Sequence, residues 1–219
     1  MSLSTSIHLL GNLLGQVLRE QESPALFDLE ERIRQAAKDR RAGELGAELR
    51  LTAEVTAQTS EQARAVAAAF TLYFDLVNLA EENERVNRLR EREEKVPVIP
   101  DSLEDAILAS LDIELVLTAH PTEANRRSIL SKVLHLAGLL LELDHPGLLP
   151  RERAALERAL LAEITTFWLT SRQRTLVPLV EDEVKTTLFI VEEIFWHALP
   201  RIYADLENAL ARHYPGLTP

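Results

Sequence analysis

Apolar residues recur at three- and four-residue spacing along almost the whole chain, and that periodicity restricts it to helices packed on helices. Ile7, Leu10, Leu14, Val17 and Leu18 mark a first helix. In it Gly11 and Gly15 share one face, which leaves room for a second element to pack close. Ser23-Pro24 breaks the chain, and Leu26, Leu29, Ile33 and Ala37 mark a second, short helix. Residues 38–46 read as a loop, with Gly43 and Gly46 as helix stops. The next stripe is Ala63, Val66, Phe70, Tyr73, Phe74 and Val77, and it runs on into a charged stretch over 81–95. There Glu81 with Arg85 and Glu84 with Arg88 are oriented for pairing one turn apart, so the stretch reads as a solvated helical face, ended by Pro97 and Pro100.

The helical pattern gives way only once. Asp101 and Glu104 form a capping box for a helix through Ser110, and then Leu115, Val116 and Leu117 make an apolar run long enough only for a buried strand. Pro121 pushes His120 out of the helical region and suits the first position of the helix that follows. His120 is therefore expected at a strand-to-helix turn, where α/β folds place ligands. A helix start offers free N–H groups and a positive dipole end. Arg126, Arg127 and Lys132 add basic charge there, against Glu123 alone, on a chain whose net charge is −11. Such a start suits a small anionic substrate; the plainer reading is a helix cap with surface arginines.

Helical spacing resumes with Ile129, Val133, Leu136, Leu140 and Leu143. After a turn at His145-Pro146-Gly147, Leu156, Leu161, Ile164 and Trp168 carry another helix. Val184, Leu188, Val191, Phe195, Ala198, Ile202 and Leu206 carry a long one, which Pro200 is expected to kink.

Composition removes several classes of function. So acidic a surface repels phosphate backbones and anionic lipid, which argues against nucleic-acid and membrane partners. The absence of cysteine excludes disulfides, zinc-thiolate sites and thiol catalysis. Residues 1–18 have no basic leader and no continuous apolar run, so a cytoplasmic protein is expected. His8, His135, His145, His197 and His213 lack metal-ligand spacing and read as surface or packing residues, and the acidic run Glu181-Asp182-Glu183 reads as a helix start. Two other classes remain open: a histidine phosphotransfer module, which Pro121 disfavours because such a histidine sits mid-helix, and a non-catalytic helical interaction module using the charged face of 81–95.

The stretch Val116-Leu117-Thr118-Ala119-His120-Pro121-Thr122-Glu123-Ala124-Asn125-Arg126-Arg127 resembles the active-site histidine signature of phosphoenolpyruvate carboxylases. Similar likeness runs through Leu10-Gly11-Asn12-Leu13-Leu14-Gly15-Gln16-Val17, through 70–82, and through Trp168-Leu169-Thr170 with Arg174, Pro178 and Asp182-Glu183. Ser171-Arg172-Gln173 and Leu179 depart from that pattern, outside the histidine motif.

The resemblance implies a mostly α fold: the N-terminal helical part of an α-rich (β/α)8-barrel enzyme, with one short strand leading to the catalytic histidine. Residues 1–96 would be a helical N-terminal region, and 97–219 the start of the barrel region. It implies an enzyme that converts phosphoenolpyruvate and bicarbonate to oxaloacetate and phosphate through carboxyphosphate and an enolate. His120 would accept and return a proton, with Thr118, Thr122, Arg126 and Arg127 supporting it or binding substrate. The implied Mg2+ or Mn2+ would be held by ligands outside these 219 residues, and the complete enzyme would be a homotetramer. On this reading the chain is a fragment, inactive alone.

Overall fold

The structure, a computed structural model, describes residues 1–93, 127–170 and 180–213. These form α1 (Leu3–Gln21), α2 (Pro24–Arg41), α3 (Ala47–Thr56), α4 (Ser60–Glu93), α5 (Arg127–Leu143), α6 (Pro150–Trp168), α7 (Val180–Ile190), a π-helical turn (Val191–Phe195) and α8 (Trp196–His213). The chain divides into two compact units: Met1–Arg90 with Ser128–Ser171, and Glu91–Arg127 with Arg172–Pro219.

The first unit is held by an all-helical core. Leu10, Leu14, Val17 and Leu18 of α1 are buried with Ala69, Leu72, Leu76 and Ala80 of α4. Ile129, Leu136, Leu139, Leu140 and Leu143 of α5 join them, with Leu160, Ile164 and Phe167 of α6. Each large side chain taken from water here contributes roughly 1.5–3 kcal/mol, which offsets the ordering of the segment that carries it. A second, smaller cluster of Leu26, Leu29, Ile33 and Val66 fastens α2 to α4, with Leu51 of α3 against it. By length and composition α4 could cross a membrane over Ser60–Glu91, yet its apolar face belongs to this core.

Local chemistry sets the ends of these helices. The Ser2 hydroxyl accepts from the Thr5 N–H, and Ser23 caps α2 from the position before Pro24, accepting from the Leu26 N–H at 3.1 Å. The α2 terminus closes with Gly43 N–H on the Arg40 carbonyl and Glu44 N–H on the Asp39 carbonyl. That pairing requires the left-handed backbone Gly43 adopts, with φ of 78°. Glu152 reaches back to the Leu149 N–H at 3.0 Å, opening α6 behind Pro150.

Of the two glycines expected to admit a close neighbour, Gly15 does so and Gly11 is not needed for it. A Cβ on Gly15 would lie 2.8 Å from Phe27 Cε2, so α2 approaches α1 as closely as it does only because position 15 has no side chain. A Cβ on Gly11 would meet Tyr73 Cε2 at an ordinary 3.8 Å.

In the second unit α7, the π turn and α8 follow one another without a break, the Trp196 N–H reaching the Val191 carbonyl five residues back. Pro200 lies inside α8, where it can donate no backbone hydrogen bond. Helix α8 runs on through Pro200, and a wide π-helical turn precedes it.

The expected (β/α)8-barrel architecture is not what the structure shows. The described residues are helices joined by turns, with no strand among them, and their apolar stripes close a core on one another without a sheet. The segment read as a strand, 113–118, and the helix expected over 101–110 lie outside the described residues. Two smaller expectations also change. Within 38–46 helix α2 continues to Arg41, which shortens the loop, and Arg85 pairs with Glu82, at 2.6 Å, rather than with Glu81. Arg88 does pair with Glu84, at 2.9 Å.

The glycine contacts set a contrast. Gly15→Val forces Phe27 off α1 and should lower unfolding free energy by about 1–3 kcal/mol. Gly11→Ala should be neutral or stabilising by up to about 1 kcal/mol, since it gains helix propensity without a clash. Urea denaturation of both variants measures this; equal effects at the two positions would contradict the packing described.

Candidate functional site

Of the residues singled out by sequence, Thr118, His120, Thr122 and Arg126 lie outside the described residues. Arg127 is the first residue of α5. The described geometry therefore concerns how the helix that follows the histidine motif is mounted.

α5 is seated by its apolar face. Ile129, Leu136, Leu139, Leu140 and Leu143 are buried, with Val133 partly so. Its polar face is tied to α6. Lys132 Nζ donates to Thr166 Oγ1 at 3.1 Å and lies 3.6 Å from Glu163 Oε1, while His135 Nδ1 sits 3.0 Å from Glu163 Oε2. Lys132, counted by sequence among the charges facing an anion, thus has its charge directed to Glu163. His135 stays exposed and has a carboxylate neighbour, in keeping with a surface role.

The far end of α5 is held by a polar cluster that sequence reasoning missed. Asp144, one residue past the helix, accepts from Asn83 Nδ2 at 2.6 Å and Asn87 Nδ2 at 2.8 Å, and its other oxygen takes the α-amino group of Met1. Burial alone would raise the Asp144 carboxyl. The three donors outweigh it and hold the group below the ordinary aspartate range. Asn83 is itself buried, and with its amide N–H spent on Asp144 its Oδ1 has no partner. The available signal was the pair of amides at positions 83 and 87, one helical turn apart in a densely charged run.

Among the described residues no three His, Cys, Asp or Glu side chains come together as a metal site would need. The implied Mg2+ or Mn2+ has no ligand set among the described residues.

Comparison with known proteins bears on the motif. The family profile described as Phosphoenolpyruvate carboxylase matches residues 3–219. A phosphoenolpyruvate carboxylase of Roseiflexus castenholzii is 41% identical over 236 residues, covering 97% of this chain and 25% of that protein. One from Rhodothermus marinus is 37% identical, covering 97% and 25%, and one from Pseudomonas paraeruginosa 35% identical, covering 96% and 26%. The chain spans about a quarter of the length of the curated relatives it matches.

The Asp144 cluster predicts a pH signature. A carboxyl held below its unfolded value contributes stability that is present above the ordinary aspartate range and is lost as pH falls through the lowered value. Asp144→Ala should therefore cost about 1–3 kcal/mol at pH 7, and the gap to wild type should narrow below about pH 4. Thermal melts across that range check it, and a gap independent of pH would exclude the ionised carboxylate as the cause.

Proposed function

Because this chain belongs to the phosphoenolpyruvate carboxylase family, we propose that it supplies the N-terminal, histidine-bearing portion of an enzyme that carboxylates phosphoenolpyruvate. The observation that carries this reading is a family match running from residue 3 to residue 219, with the Thr118-to-Arg127 signature inside it. Bicarbonate attacks the phosphoryl group and gives carboxyphosphate and the enolate of pyruvate. Carboxyphosphate then releases carbon dioxide and phosphate, and the enolate captures the carbon dioxide to form oxaloacetate.

His120 takes the proton of carboxyphosphate as it breaks down. An imidazole suits the task because its ordinary pKa lies near neutrality, so it can accept a proton and return it at working pH. Pro121 supports the role, since a proline disfavours the helical region for the residue before it. Thr118 and Thr122 orient the ring, while Arg126 and Arg127 balance anionic charge at the start of that helix. Metal ligands, and the remaining groups that hold phosphoenolpyruvate, belong to the part of the longer protein that this chain does not span. The complete enzyme is read as a cytoplasmic homotetramer, with no nucleic acid or membrane as partner; the net charge of −11 supports the last two points.

In the complete enzyme His120→Asn should cut oxaloacetate formation by at least about 10²–10⁴-fold while bicarbonate-dependent phosphate release persists. Asparagine keeps polarity and approximate shape but can neither accept nor release a proton near neutral pH. Parallel assays of oxaloacetate and phosphate separate the two halves of the reaction, and undiminished oxaloacetate turnover would remove His120 from the role. The 219-residue chain by itself should form no oxaloacetate, because several members of the catalytic set are absent from it.

A further inference from the structure

A cavity of about 510 Å³ opens where α1 and α2 approach one another, far from the histidine motif in sequence. Its apolar wall includes Leu14, Leu18 and Phe27, and its polar groups fall into two sets. Among the described residues the exposed set, Lys38, Arg19, His8 and Asn12, makes no side-chain hydrogen bond or ion pair; Arg19 rests on the Phe27 ring, 3.6 Å from its centre. The buried member is Glu30, 7% exposed, a carboxyl facing the cavity with no hydrogen-bond partner among the described residues.

Its neighbours do not neutralise it. On its own helix Arg34 is engaged by Glu31 through Nε at 2.9 Å and a second N–H at 2.5 Å, so the nearest guanidinium is already spent. Glu31 adds a like charge, α1 contributes only the exposed His8 and Arg19, and α4 contributes Tyr73. Burial first, and Glu31 second, push the Glu30 carboxyl up to about 7. Around neutrality a large share of Glu30 is thus protonated and can donate a hydrogen bond into a cavity whose mouth carries Lys38 and Arg19, which also lower the carboxyl of the neighbouring Glu31.

We propose that this cavity binds a small organic carboxylate, its anionic group between Lys38 and Arg19 at the mouth and its polar end facing the buried Glu30 carboxyl. The volume exceeds what an inorganic ion fills, and the apolar wall suits a carbon skeleton. The inference is independent of the carboxylase reading.

Tartrate is a suitable probe, since both its carboxyl groups stay ionised between pH 6 and 8. Calorimetric titration of the 219-residue chain should give affinity about tenfold tighter at pH 6 than at pH 8, following the protonated fraction of Glu30. Glu30→Gln, which donates a hydrogen bond at every pH, should retain binding and lose that pH dependence. Lys38→Ala changes an exposed side chain and should weaken binding at least fivefold with an unchanged melting temperature. Absence of tartrate binding at pH 6, equal affinity at the two pH values, wild-type affinity in Lys38→Ala, or sulfate binding as tightly as tartrate would each overturn the proposal.

Discussion

The first unit depends on one face of α1. Leu10, Leu14, Val17 and Leu18 stand at the meeting point of α4, α5 and α6, while Gly15 on the adjoining face admits Phe27 of α2. A helix that serves so many neighbours must be narrow on one face and bulky on the next. Glycine and leucine at helical spacing provide that asymmetry. Once α1 is fixed, contact with the same core places α5, the helix that begins at Arg127, directly after the histidine motif.

Polar interactions then select among arrangements that burial alone would allow. Asp144 collects donors from residues 83, 87 and 1, which are far apart in sequence, at the end of α5. Glu163 holds Lys132 and His135 along the flank of the same helix. Surface pairs such as Arg85 with Glu82 are exposed on both sides, where water screens them. The buried cluster differs in kind, because breaking it would strand a carboxylate away from water.

Much of the fold was legible in the sequence. The stripes of α1, α2, α4, α5 and α6 were visible because each buries one face, and a buried face leaves a periodic trace. Helix α3 left none, since it buries only Ala47 and turns Leu49 and Val55 to solvent. The barrel expectation came from a short apolar run joined to a family likeness, and the described residues answered with helices alone. At the candidate site the motif was readable letter by letter. The clamp on Lys132 was not, because Glu163 and Thr166 lie more than thirty positions away and no local pattern joins them. Long-range polar contacts have no periodicity to betray them.

The π turn over Val191–Phe195 gives the long terminal helix a different tolerance from its neighbours. A regular helix turns by about 100° per residue, so inserting or deleting one residue swings every later side chain onto a new face. A wide turn already houses a surplus residue, much as a bulge does in a strand. The stretch before it, with Val184 and Leu188, and the stretch after it, with Ile202 and Leu206, need not share one helical phase. The apolar side of each can be aimed separately, and a lineage could lose that residue without unfolding either half.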